Sequence, residues 1–304
     1  MTRVNELGLV FMALYVDDCL VIGDSKAMNA TINHMRAKGL SLKIEEELTD
    51  YLSCQIKLNR KEKKGWIGQP HLIRDLEERF GKMVNHLTAY KTPGTPGVGL
   101  ERPKNQESEL EPSLQELYRS GVGMLLYLVK HTRPEISNVV RELSKLVSGA
   151  SRFALKEFLR TTKYVLDTKE FGLKLNLTTT QEKWEMTVYT DSDYAGDRET
   201  RKSVTGFIIY LRGVPVSWKS RGQKSVTLSS TEAEFVAMSE AAKEIKFIVQ
   251  VLESMKQTVE FPIVVRVDNV GAIGLANNLS TSQRTKHIDV RYHFVREFVE
   301  EKFI

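Results

Sequence analysis

The sequence predicts a mixed α/β chain, of α+β type, in which two sheet-bearing regions flank a run of helices. Three observations carry this expectation. Apolar and polar residues alternate near both ends of the chain, as half-buried strands require. Between those ends, apolar residues recur at helical spacing in three successive segments. Residues 91–112, "KTPGTPGVGLERPKNQESELEP", hold four of the chain's eight prolines and mark a linker. The 304 residues suit about two domains, and 41% hydrophobic with 27% charged residues is an ordinary globular balance.

The first region, residues 1–90, opens on "LVFMALYVDDCLVIGD", two apolar runs on either side of Asp17 and Asp18. Aspartate is common in turns, but the favoured two-residue hairpin loops carry glycine and this one has none. A doubled carboxylate on a strand pair also suits a divalent metal beside phosphate, so the stretch alone leaves both readings open. Asp24 or Ser25 can cap a helix through "KAMNATINHMRAKG", with Gly39 as its stop. "LSLKIEEE" and "YLSCQIKLNR" read as strands, and the charged turn "KEKKG" leads to another, "WIGQ". Pro70 is placed for the first turn of a helix, "PHLIRDLEERFG", that Gly81 would end.

Residues 113–177 read as a packed helical connection. In "PEISNVVRELSKLVSG", Ile136, Val139, Val140, Leu143, Leu146 and Val147 form one stripe. Its neighbours "SLQELYRSGVGMLLYLVK" and "SRFALKEFLRTTKYVLDTK" read the same way, and "TTTQEKWE" at 178–185 reads as a second, shorter link. From 186 the pattern changes. "EMTVYTDSDYAG", "SVTGFIIYLRG" and "VPVSWKS" are strands, the last two joined by a turn at Gly213. A long helix starts near 230, where Thr231 and Glu234 fit a capping box. The strand "PIVVRVDN", the short helix "VGAIGLANN" and the amphipathic helix "TKHIDVRYHFVREFVEEKF" complete an order β-β-β-α-β-α-α over residues 186–304.

Three carboxylates fall at strand ends or helix starts here: Asp191, Glu234 and Asp268. Such positions gather on one edge of an α/β sheet, where ligands bind. Three convergent carboxylates cannot all ionise without a cation, so a pair of Mg2+ or Mn2+ ions is the natural completion, able to activate water and stabilise a phosphodiester's leaving oxygen. Each acid also has an ordinary role open to it: Asp191 as a turn acid, Glu234 as the capping-box partner, Asp268 as the cap of the next helix. Beside them, Thr200 to Thr231 contains no Asp or Glu but does contain Arg201, Lys202, Arg212, Lys219, Arg221 and Lys224. With Trp218 and several hydroxyls, these residues suit contacts to a phosphate backbone; a solvated strand face is the plainer alternative.

The net charge of +5 permits a polyanionic partner without requiring one. Cys19 and Cys54, the only two cysteines, allow no disulfide framework or cysteine zinc site and fit a reducing, intracellular setting. The longest apolar run, "LGLVFMALYV", is too short to span a bilayer, so no membrane partner is expected.

Several of these stretches resemble one family, in that family's order and over essentially the whole chain. "LYVDDCLVIG" is similar to the reverse transcriptase hairpin that presents paired aspartates. "YRSGVGMLLYLVKHTRPEISNVVRELSKLV" resembles the connecting segment. "YTDSDYAGDRETRKSVTGFIIYL", "VSWKSRGQKSVTLSSTEAEFVAMSEAAKE" and "VDNVGAIGLANN" followed by "RTKHIDVRYHFVREFV" resemble the ribonuclease H domain of copia-type LTR retrotransposon Pol polyproteins. The resemblance implies a partial polymerase palm and thumb, a connection and a ribonuclease H-like domain that cuts the RNA strand of RNA–DNA hybrids. It implies no small-molecule cofactor, and a cytoplasmic location in virus-like particles. Asp17 and Asp18 correspond to polymerase metal-binding aspartates, with Tyr15 and Val16 beside the primer end. Asp191, Glu234 and Asp268 match the ribonuclease H acids. Glu234 is preferred to Glu232 because "AEFVA" fits the family's acid-then-apolar pattern.

The chain departs from the family at two places. The polymerase's further upstream aspartate has no counterpart, so this chain is not expected to polymerise DNA. The segment that would carry a fourth ribonuclease H acid is also missing, which leaves Asp289 as a stand-in and His287 as an ordinary helix-start residue. Both departures make the chain look cut at each end. A catalytically dead nucleic-acid-binding remnant is the rival expectation. An integrase-like enzyme, needing a late-helix acid such as Glu297, is a more distant one.

Overall fold

The computed structural model describes residues 2–45, 47–103, 109–176, 182–277 and 289–304, and it is mixed α/β as expected. The N-terminal strands β1 (Thr2–Asn5), β2 (Gly8–Tyr15) and β3 (Asp18–Gly23) form an antiparallel sheet, and α1 (Ser25–Ala37) follows. A second sheet contains β4 (Asp50–Tyr51), β5 (Cys54–Asn59) and β6 (Lys64–Gly68). The expected strand at 40–47 does not form in its described residues. Its alternation finds no partner strand, and Leu40 and Ile44 stay exposed. Alternation needs a neighbouring ladder before it becomes a strand.

Helix α2 (Pro70–Val84) starts at its proline and runs through Gly81 instead of stopping there. Ile73, Leu76, Phe80 and Val84 are all buried along one stripe. Burying Val84 outweighs the cost of about 1 kcal/mol for a glycine inside a helix. That stripe packs on α3 (Pro112–His131), α4 (Ser137–Ser144) and α5 (Arg152–Asp167) in one core with Leu125, Ile136, Leu143 and Phe158. The described residues of segment 91–112 reach this core, with Leu100 and Leu110 buried in it and Thr95 bonded to Glu157. After α5, β7 (Leu173–Asn176) returns to pair with β6. The second link expected at 178–185 lies partly outside the described residues; Trp184, within them, bridges to Val259.

The third sheet places the strands β8 (Met186–Asp193), β9 (Val204–Leu211), β10 (Val214–Gly222) and β11 (Val264–Arg266) in the order β10-β9-β8-β11. Only β11 runs parallel to its neighbour, β8. Helix α6 (Ser230–Ser254) covers one face, so Met186, Val188 and Ile209 meet Ala241, Ile245 and Val249. Helices α7 (Val270–Asn277) and α8 (Asp289–Glu300) complete the β-β-β-α-β-α-α order and add a smaller core of Phe235, Met238, Ala276 and Val295. No helix among the described residues is long and apolar enough to cross a membrane.

Polar contacts join this sheet to the helices. Trp218 donates its indole N–H to the Val129 carbonyl at 2.7 Å, and Lys145 reaches Asp197 at 2.7 Å. Partial burial pushes the Asp197 carboxyl up, but hydrogen bonds from Lys145 and Thr200 outweigh that and hold it well below the usual carboxylate range. A carboxyl held down by folding stabilises the fold above its ordinary value of about 4, and that contribution is lost as pH falls toward the depressed value. Asp197→Asn is therefore expected to lower stability at neutral pH by about 1–3 kcal/mol. Denaturant unfolding over a pH series checks this: the gap to wild type should narrow below about pH 4.

Candidate active site

Asp191 sits near the C-terminal end of β8, and Asp268 lies two residues beyond β11. Because β8 and β11 are parallel neighbours, both acids emerge at the same sheet edge. Helix α6 begins at that edge and brings in Glu234. One carboxylate oxygen from each of the three lies within 4.8 Å of the others. Among the described residues this is the one group of three or more acids, histidines or cysteines close enough to share an ion.

The ordinary role open to each acid is taken by another residue or by the strand itself. The cap of α6 is Ser229, whose side chain accepts from the Glu232 N–H, while Glu232 accepts from the Leu228 N–H at 2.7 Å. The expected Thr231–Glu234 box is thus a Ser229–Glu232 box, two residues earlier, which frees Glu234. Asn269, not Asp268, caps α7, its Oδ1 accepting from the Ala272 N–H at 2.9 Å. Asp191 is in no turn; it pairs with Gly206 inside the β8–β9 ladder.

Asp191 and Asp268 are exposed, whereas Glu234 is only 5% exposed. Glu234 is held by Ser192, whose backbone N–H and hydroxyl both donate to Oε1, at 2.9 and 2.7 Å. Its other oxygen, Oε2, is buried with no hydrogen-bond partner. Burial pushes the Glu234 carboxyl up; the Ser192 hydrogen bonds oppose this, and the charges of Asp191 and Asp268 add to it. A buried carboxylate with one oxygen lacking a donor, in a group with two more carboxylates, is a costly arrangement unless a cation joins them. The donor set is all oxygen, which fits Mg2+ or Mn2+.

A groove of about 840 Å3 opens beside the acids on the sheet face away from α6. Asp191, Asp268, Tyr189, Gly206 and Trp218 line it, and Pro134–Asn138 forms the opposite wall. The basic residues read from the sequence divide into separate groups. Lys219, Arg221 and Lys224 gather around a cleft of about 170 Å3 between β10 and α6, and Lys219 also borders the groove. Lys243 of α6 joins them, paired with Glu240 at 2.7 Å. Arg201 faces a different cleft, against residues 93–100, and Lys202 follows it in the same loop. Trp218 has its N–H committed to Val129 and also lines the groove.

Asp17 and Asp18 lie exposed at the β2–β3 turn, where Tyr15 pairs with Asp18 and Val16 takes a left-handed φ of 50°. The structure brings no third acid to them among the described residues. Asp289 opens α8, but its side chain, like the whole of His287, lies outside the described residues. Glu297 is exposed on α8 and is not part of the three-acid group. Ser192, Asn269 and Lys243 were not singled out from the sequence. Ser192 carried a weak local signal as the hydroxyl between two acids in "DSD"; Lys243 carried none, since it meets its basic partners only across α6 and β10.

No protein-family model matches the chain. It is 32% identical over 311 residues to the "Retrovirus-related Pol polyprotein from transposon TNT 1-94" of Nicotiana tabacum, covering 99% of this chain and 22% of that protein. It is 33% identical over 296 residues to the "Retrovirus-related Pol polyprotein from transposon RE1" of Arabidopsis thaliana, covering 96% of this chain and 19% of that one. A shorter match, 38% identical over 127 residues, covers 42% of this chain and 87% of "Secreted RxLR effector protein 161" of Plasmopara viticola. The chain thus spans about a fifth of the length of the two polyproteins it matches.

Proposed function

The chain belongs to the retrovirus-related Pol polyproteins of copia-type LTR transposons, and from that membership and its three-acid site we propose that residues 186–304 form a ribonuclease H-type nuclease. Its substrate is the RNA strand of an RNA–DNA hybrid, and its setting is the cytoplasm, within the element's particles. The observation that carries this reading is the unpartnered Oε2 of Glu234 beside Asp191 and Asp268. Asp191, Glu234 and Asp268 would hold two Mg2+ or Mn2+ ions, which supply water activation and charge neutralisation at a phosphodiester. Ser192 fixes the Glu234 carboxylate through Oε1 and leaves Oε2 without a donor, within the three-acid group. Lys219, at the border of groove and basic cleft, would take backbone phosphate. Polymerisation is not proposed for this chain.

The test is cleavage of an end-labelled RNA–DNA hybrid by the purified chain, in Mg2+ and then in Mn2+. Asp191→Asn and Asp268→Asn are each expected to lower cutting by about a thousandfold. The second reading, a binding remnant, is favoured by the Lys219–Arg221–Lys224–Lys243 cleft, which needs none of the three acids. Salt-sensitive hybrid binding without cutting, in either metal, would establish the remnant and remove the nuclease.

A further inference from the structure

Gly206 occupies the interior of β9, directly opposite Asp191 on one side and Ser220 on the other. Glycine weakens a strand interior, and a strand keeps one for a limited set of reasons. One is a left-handed backbone, as at Gly23, with φ of 156°; Gly206 is not among the positive-φ glycines. Another is crowding. At Gly121 an added Cβ would fall 2.2 Å from the Phe158 ring, and at Gly68 it would fall 2.2 Å from that of Trp66. At Gly206 the same Cβ would meet only the Asp191 carbonyl oxygen, at an ordinary 3.7 Å. Among the described residues, neither the backbone nor the packing asks for glycine here.

What remains is the space itself. Directly opposed residues in an antiparallel pair project from the same face, with Cβ atoms about 5 Å apart. A side chain at 206 would therefore stand beside Asp191, in the floor of the groove that Gly206, Asp191 and Ser220 line together. We infer that Gly206 is a seat for substrate: the bare strand at this point lets a sugar–phosphate unit of the bound nucleic acid rest against the sheet next to Asp191. This rests on the nuclease reading for the identity of the ligand, but the vacancy beside Asp191 belongs to the fold. A β-branched residue at 206 would suit the strand better than glycine does. Function and stability are thus opposed at this one position.

The experiment compares wild type, Gly206→Ala and Gly206→Val in three measurements: thermal melting, hybrid binding by fluorescence anisotropy in Ca2+, and hybrid cleavage in Mg2+. Gly206→Val should melt at or above the wild-type temperature, bind hybrid about tenfold more weakly or worse, and cut about a hundredfold more slowly. Gly206→Ala should fall between. A Gly206→Val chain that melts clearly below wild type would mean the glycine is structural, and the inference falls. One that folds and binds hybrid as wild type does would also overturn it, leaving the nuclease reading intact. If wild type binds without cutting, the nuclease reading fails, and the binding ratio alone decides the seat. A wild-type chain that neither binds nor cuts overturns both.

Discussion

Glu234→Gln is expected to melt above the wild-type chain in metal-free buffer at neutral pH, and to lose hybrid cleavage by about a thousandfold. Both effects have one origin. Glu234 is buried, and its ionised form is opposed first by desolvation and then by Asp191 and Asp268, against the support of Ser192. A carboxyl whose folded pKa is raised binds its proton more tightly in the folded state. Its penalty is absent below the ordinary carboxylate value, appears as pH rises toward the raised value, and is complete above it. Glutamine keeps an oxygen for the two Ser192 donors and carries no charge beside the other two acids, so the penalty disappears at every pH.

The same substitution removes the cation's reason to bind. Wild type should gain stability with added Mg2+ or Mn2+, by about 2.7 kcal/mol at a hundred times the dissociation constant. The variant should gain little. Melting curves with and without divalent ions, at pH 5 and pH 8, measure all of this. A Glu234→Gln chain less stable than wild type without metal would show that the carboxylate is satisfied by something other than a cation.

Arg133→Ala carries the largest expected loss of stability, about 3 kcal/mol. Arg133 is fully buried at the corner between α3 and α4. It donates to Glu135 at 2.5 Å, to the Thr168 carbonyl at 3.2 Å and to the Thr168 hydroxyl at 2.7 Å, with its guanidinium over the rings of Tyr164 and Phe171. It thereby ties that corner to the end of α5. Breaking a buried pair costs about 3–5 kcal/mol when the partner is stranded in the interior. Glu135 keeps a third of its side chain in water, so the lower end applies. Arg133→Lys should recover part of the loss but not the forked bonding to Thr168. Thermal or denaturant unfolding checks both variants. Cleavage at low temperature should survive in both, because the three acids stand on a different core. A loss of cutting in a chain that remains folded would tie the groove wall at Pro134–Asn138 to the chemistry.

Much of this molecule was legible without coordinates. The strands at 186–193 and 204–211 and the stripe from Ile136 to Leu146 follow from period-two and helical patterning, which depends only on residues near each other in the chain. The acids stood out because they fall where strands end and a helix begins. Alternation misled at 40–47, where a pattern exists but no neighbouring strand does among the described residues. At the site, the sequence left Glu234 and Asp268 each with a plain capping role. Only the folded chain decided against it, by giving the caps to Ser229 and Asn269.

What the sequence by itself determined is the family, the order of the elements and the residue types at one sheet edge. Tertiary structure alone decided that the three carboxylates converge, that Ser192 holds one of them across 42 residues, that Lys243 completes a basic cleft, and that among the described residues no side chain crowds Gly206. The reason is the range of the interactions. Periodicity and capping signals reach about one helical turn along the chain, whereas burial and charge act between whichever groups the fold brings together.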